Sequence, residues 1–148
     1  IYEDSFIPLW SFKSIERLDN LKPLIFNLLN NLNYSEELKN ITNNNHFWNG
    51  TFGCMSIISI KYLITIFEKY KLDNLLNKLN NRMNRMCFER IISIIYYHDQ
   101  NRDVECLIND IHQWTLSLNT YFGNIKWNNY CNNEKYKNIE FMKIWSGR

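Results

Sequence analysis

The segment HFWNGTFGCMSII, residues 46–58, decides the fold because it holds half of the chain's four glycines. Gly50 and Gly53 lie beside Trp48 and Phe52, and the β-branched run after them is typical of a buried strand. Glycine permits backbone conformations and close approaches that other residues exclude. The segment therefore predicts one of two things. It is either a loop that passes close to a ligand, or a tight turn into a core strand with the aromatic residues packed inside.

Outward from this segment, the apolar spacing is mainly helical. The segment FIPLW predicts a strand that stops at Pro8, and GCMSIIS predicts a short buried strand, while residues 40–46 read as a loop. Five helices are predicted. The first covers 14–33 with a break near Pro23, and the second has a cap and an acidic first turn at Ser35 to Glu37. The others cover 61–70, 72–79 and 86–98, the last capped by Asn84. We predict one mixed α/β domain, rich in helix, over residues 1–148.

Composition excludes several classes of protein. With 45% hydrophobic and 16% aromatic residues the chain is globular, and a net charge of +2 is too weak for a nucleic-acid surface. No apolar run reaches the ~20 residues that cross a bilayer. The four cysteines are widely spaced and form no CxxC pair, so we expect reduced thiols and a cytoplasmic location. The chain begins with Ile1, and we expect it to be a piece of a longer polypeptide.

Three other segments carry residues that could do chemistry. In NRMNRMCFERII, Arg85 and Glu89 are four apart on one helix face, which suits either a structural ion pair or a base beside a phosphate anchor. Asp110 and His112 form a D-x-H that could hold a cation or lie on the surface. In YEDS, Asp4 next to Glu3 could bind a divalent metal or simply begin a solvated loop. His46 and His98 lack such companions, and we expect them to be non-functional.

The order of these segments resembles that of the GT-A nucleotide-sugar glycosyltransferases. More narrowly, WNGTFGCMSII, NRMCFERII and KIWSGR are similar to glycosyltransferase-like proteins of large DNA viruses and microbes. The resemblance covers Tyr2 to Arg148. It implies a helix-rich α/β piece, the C-terminal, acceptor-side portion of a nucleotide-diphospho-sugar transferase, whose nucleotide-binding half precedes Ile1.

The resemblance also implies roles for residues. Glu89 corresponds to the catalytic base of an x-E-D motif, in which Arg90 here replaces the aspartate. The donor sugar and its phosphates would be bound by the loop and by nearby cations: Trp48, Gly50, Phe52, Gly53, Arg85 and Arg90. Asp4 and His112 would hold Mn²⁺ or Mg²⁺, although YED departs from the usual D-x-D.

The implied reaction is metal-dependent transfer of a sugar from a nucleotide-sugar donor to a hydroxyl of a glycan or other acceptor. Because only one base and no separate nucleophile are visible, we expect inversion. The alternatives are a helical binding or scaffold domain without catalysis, and an inactive glycosyltransferase remnant. Packed amphipathic helices are the clearest pattern in the sequence, and they favour the first of these alternatives.

Overall fold

The computed structural model describes residues 6–15, 18–44, 46–107 and 109–110, with only the backbone described for the last two. Internal contacts divide the chain into two units, Ile1–Ile111 and His112–Arg148, and all described residues belong to the first. The prediction of a single domain over residues 1–148 therefore stays a prediction. So does the strand-like reading of the C-terminal FMKIW, which lies outside the described residues.

The described part is mixed α/β and mainly helical. Its helices are α1 (Leu18–Leu29), α2 (Ser35–Asn43), α3 (Ile60–Tyr70), α4 (Asp73–Leu76) and α5 (Arg82–Gln100). Its strands are β1 (Phe6–Pro8), β2 (Trp10–Lys13), β3 (Asn49–Thr51), β4 (Ser56–Ile58) and β5 (Asn109–Asp110). A single 3₁₀ turn, Phe52–Cys54, joins β3 to β4.

The strands form two small sheets in the described chain. β1 pairs antiparallel with β4, and Phe6 faces Ile58. In the other sheet β2 is central, antiparallel to β3 and parallel to β5. Pro8 lies at the end of β1, where its missing N–H costs little, and the chain resumes extended structure as β2 after one residue.

Helix α5 is the centre of the core. Six consecutive residues, Ile91 to Tyr96, are buried, so the helix is enclosed around most of its circumference. It packs against β3, α1 and α2. The prediction that this helix is deeply packed is confirmed.

Several helix boundaries differ from the predicted ones: α1 is Leu18–Leu29 where 14–33 was predicted, and α4 is Asp73–Leu76 where 72–79 was predicted. For α5 and α2 the reason is visible in the structure. α5 begins a turn before Met86, because the side chain of Asn81 accepts a hydrogen bond from the Asn84 N–H and caps the helix there. α2 extends into the predicted loop as far as Asn43. Thr42 is fully buried there and its hydroxyl donates to the Leu38 carbonyl, so tertiary packing overrides the polar local sequence.

Two further local predictions were wrong. Ser35 does not cap α2, since Tyr34 is the N-terminal flanking residue and makes no side-chain cap, although the acidic first turn is present. Pro23 lies inside α1, which runs through it as one helix. Pro23 is exposed and lies in the second turn of this helix.

Candidate functional site

The glycine segment differs from the sequence prediction in where its buried strand lies. Gly50 is in the middle of β3, and both it and Thr51 are buried. The stretch predicted as a core strand, β4, is only partly covered, and Ile57 is 53% exposed. The buried strand therefore contains the first glycine and does not follow it.

The lack of a side chain at Gly50 makes room for an aromatic ring of the same protein. A Cβ built on Gly50 would lie 2.0 Å from Cζ of Phe12, on the paired strand β2. No side chain larger than hydrogen fits there unless Phe12 moves. In this structure the close approach at Gly50 is therefore made by Phe12.

Trp48 is enclosed in the core. Its side chain is 1% exposed, and the indole Nε1–H donates to the Ile41 carbonyl at 3.0 Å. Burial leaves no ring face for a ligand in this conformation. It favours the interpretation in which the aromatic residue of this segment is core packing.

Arg90 is also buried, at 3% exposure. Its guanidinium carbon lies 4.5 Å from the centroid of the Phe12 ring, and its Nη1 donates to the Met86 carbonyl at 2.9 Å. The predicted phosphate-binding side chain thus stacks inside the protein. Arg85, one turn earlier on α5, is exposed.

The 3₁₀ turn after β3 is the part of the glycine segment that reaches the surface. Gly53 is exposed and has φ 63°, a left-handed conformation that favours glycine. Cys54, with φ 52°, continues this conformation, and Phe52 is half-buried. The second glycine is therefore needed for backbone conformation and the first for space.

Glu89 lies beside this turn. Its side chain is half-buried on α5, the helix that packs against both β3 and the turn. Burial, and then the negative charge of Glu89, raise the pKa of the Cys54 thiol to about 12. The fold thus brings together two segments that are far apart in the sequence, the glycine turn and the FER of α5.

The metal prediction lies outside the described residues. Asp4 and His112 are not described, and only the backbone of Asp110 is, in the short strand β5. Within the described chain, no three His, Cys, Asp or Glu side chains come together as a metal-binding group. Metal binding at Asp4 and His112 stays a prediction.

A polar cluster at the ends of α3 and α5 was missed by the sequence analysis. The Tyr70 hydroxyl and Nδ1 of His98 are 2.7 Å apart, and Lys69 Nζ is 2.5 Å from Oδ1 of Asp99. The ring of Tyr34 lies 5.2 Å from that of His98. Lys69 and Tyr70 are neighbours at the end of α3, and His98 and Asp99 are neighbours near the end of α5. Nothing in the sequence says that these two helix ends meet.

Three groups of this cluster, His98, Tyr70 and Asp99, have shifted pKa values. Burial, together with the Lys69 charge, lowers the pKa of His98. Burial, together with the Asp99 charge, raises the pKa of Tyr70 above its ordinary value. For Asp99, burial would raise the pKa, but hydrogen bonds from Lys69 and Gln100 outweigh it, and the pKa is lowered. The fold thus gives His98 polar neighbours that its sequence context does not show, while its being non-functional stays a prediction.

In the described residues, no helix combines the length and apolarity needed to cross a lipid bilayer. A comparison of the chain with protein-family models, with curated proteins and with solved structures gives no match.

Proposed function

We propose that this chain takes part in transferring a sugar from a nucleotide-sugar donor to an acceptor hydroxyl, as the C-terminal part of a GT-A-type glycosyltransferase. The observation that carries the proposal is the meeting of Glu89 with the turn Phe52–Cys54. A carboxylate beside a partly exposed turn can accept a proton from an acceptor hydroxyl held there. The resemblance in sequence assigns the same two segments to catalysis and to donor binding.

The exposed residues of this region suit the parts of such a substrate. Arg85, one turn before Glu89 on α5, is an exposed cation that could neutralise a diphosphate. Phe52 is half-buried and offers part of an aromatic surface against which a sugar ring can pack. Gly53 adds no side chain at the exposed middle position of the turn. We assign the buried Trp48, Gly50 and Arg90 to the frame beneath the site and not to the substrate.

Divalent metal remains part of the proposal through Asp4 and His112. A bound Mg²⁺ or Mn²⁺ would supply positive charge for the departing diphosphate. The cytoplasmic location likewise stays a prediction.

The test is a screen of nucleotide-sugar donors with the natural full-length protein, measuring binding and turnover with and without Mn²⁺. Glu89→Gln removes the base but keeps the shape of the side chain. We expect it to retain donor binding and to reduce turnover by about 100-fold or more, as loss of a general base does. Glu36→Gln is the matched control, because Glu36 is 80% exposed on α2 and pairs with Lys39 of the same helix. This control should leave turnover unchanged.

The second candidate function is a non-catalytic helical binding or scaffold domain, or an inactive remnant of a transferase. The observation that favours it is the burial of Trp48, Gly50 and Arg90, three of the residues first proposed to bind substrate. Under this alternative no donor binds, and Glu89→Gln changes neither binding nor turnover. That result would overturn the proposal of sugar transfer.

A further inference from the structure

The ring of Phe12 contacts both β3 and α5. Gly50 lies against the Cζ end of the ring, where even a methyl group would collide with it. The guanidinium of Arg90 lies over the ring, 4.5 Å from its centroid. Phe12 and Arg90 are 3% exposed each, so this stack is sealed from water. A guanidinium held over an aromatic ring and out of water makes a strong cation–π contact.

A second contact joins the same two elements one turn further along α5. The hydroxyls of Thr51 and Ser93 are 2.7 Å apart, and both residues are fully or almost fully buried. A buried hydroxyl pair of this kind has a short range and requires one register between strand and helix. α5 therefore contacts β3 directly at Ser93 and contacts its paired strand β2, through Phe12, at Arg90.

Both points are next to the proposed site. Arg90 follows Glu89 directly on α5, and Thr51 precedes the turn Phe52–Cys54 directly on β3. A shift of β3 along α5 would move the turn relative to the Glu89 carboxylate. The Phe12–Arg90 contact and the Thr51–Ser93 pair thus connect the two segments that the proposed reaction uses.

We infer that Arg90 is a positioning residue, whose buried guanidinium holds α5 against the β2–β3 pair and so fixes Glu89 beside the turn Phe52–Cys54. The catalytic meaning of this inference rests on the proposed function. The claim that Arg90 fixes the position of Glu89 is independent of the proposed function, because that position can be measured without any substrate.

Cys54 reports that position. Since the charge of Glu89 opposes ionisation of the thiol, Glu89→Gln should speed alkylation of Cys54 at about pH 8 by roughly twofold to fivefold. The rate is read by peptide-resolved mass spectrometry on the full chain, with the Cys106 peptide as internal reference. The same substitution is then made in an Arg90→Lys background. Lysine keeps the charge but lacks the flat, stacking guanidinium.

If Arg90 positions Glu89, the effect of Glu89→Gln on Cys54 should largely disappear in the Arg90→Lys background. An undiminished effect in that background would overturn the inference. Arg102→Lys is the matched control: this exposed arginine also contacts an aromatic ring, that of Tyr96 at 5.9 Å, and its loss should leave the coupling intact. If Arg90→Lys does not fold, Phe12→Leu removes the ring from beneath the guanidinium while keeping an apolar side chain, and the same comparison applies.

Donor kinetics test the proposed function separately from the alkylation of Cys54. With a donor in hand, Arg90→Lys should lower kcat and leave the donor KM nearly unchanged, because the misplaced group is the base and not the binding surface. If Arg90→Lys abolishes the effect of Glu89→Gln on Cys54 alkylation but no donor is turned over, the positioning role is supported and sugar transfer is contradicted. If a donor is turned over but Arg90→Lys leaves the effect of Glu89→Gln on Cys54 unchanged, sugar transfer is supported and the positioning role is contradicted.

Discussion

At the scale of single residues, the two glycines of residues 46–58 have different physical roles. Gly50 gives space to an aromatic ring of the neighbouring strand, and Gly53 gives the backbone a left-handed turn. Only the turn glycine lies at the surface next to a carboxylate. The sequence could indicate that both positions need glycine, but it could not separate the two reasons.

We predict that Gly50→Ala lowers the free energy of unfolding by about 1–3 kcal/mol, because the added methyl group overpacks the buried ring of Phe12. Urea denaturation followed by tryptophan fluorescence measures this. Combining it with Phe12→Leu should recover part of the loss, since the smaller side chain leaves room for the methyl group. If the double variant loses the full sum of the two single effects, the predicted steric clash does not exist.

At the scale of elements, one carboxylate joins the segment after α5 to β3. Asp103 accepts hydrogen bonds from the backbone and side-chain amides of Asn49, at 2.9 Å and 2.5 Å, and from the N–H of Val104. Charge-assisted bonds of this kind are stronger than neutral ones, and partly buried donors lose water when they form them. The contact brings the end of the chain's longest described helix back to the strand that carries Gly50.

We predict that Asp103→Ala destabilises the protein by about 1–3 kcal/mol, because three donors lose their acceptor. Hydrogen exchange should show the loss first at the amide of Asn49. Glu36→Ala serves for comparison. It removes an exposed ion pair with Lys39 and should change stability by less than about 0.5 kcal/mol. Equal effects of the two substitutions would contradict the role given to Asp103.

At the scale of the whole molecule, the cluster around His98 joins three parts of the fold. Asn33, in the turn between α1 and α2, donates from its backbone N–H to the Tyr70 carbonyl at the end of α3. Tyr70 in turn contacts His98 near the end of α5. A titrating group at this junction makes the stability of the packed helices depend on pH.

We predict that acid weakens the fold through His98. Its pKa is lowered in the folded protein, so the unfolded chain binds the proton more readily, and stability falls as the pH drops below about 6.5. The groups that act on the imidazole have opposing signs: Lys69 disfavours its protonation, whereas Glu37 and Asp99 favour it. Urea midpoints between about pH 8 and pH 5 measure the slope.

His98→Gln removes the titrating group, so its urea midpoint should change less over this pH range than that of the natural protein. Asp99 does not account for this slope, because its lowered pKa places its own loss of stability at pH values below its ordinary 3.8. Parallel pH profiles for the natural protein and His98→Gln would refute the assignment.

Some elements could be predicted from the sequence and others could not, for physical reasons. α3 was predicted to within a residue and α5 was recognised as deeply buried, because apolar periodicity records burial directly. The cap of α5 and the end of α2 were wrong because neighbouring asparagines offer several equivalent caps, and because the burial of Thr42 depends on a distant helix. The burial of Trp48 and Arg90 could not be predicted, since aromatic and charged residues serve cores and sites alike.

What the sequence determined by itself was the local content of this protein. It specified a mixed, helix-rich chain, a centrally packed α5, and glycine at two positions where no larger residue suits. Tertiary structure alone decided which side chains meet. Phe12 contacts both Gly50 and Arg90, the charge of Glu89 acts on Cys54, and Tyr70 lies beside His98. Local patterns report periodicity and conformational preference. The partners of a residue across the core are set by how whole elements pack, which no short stretch of sequence contains.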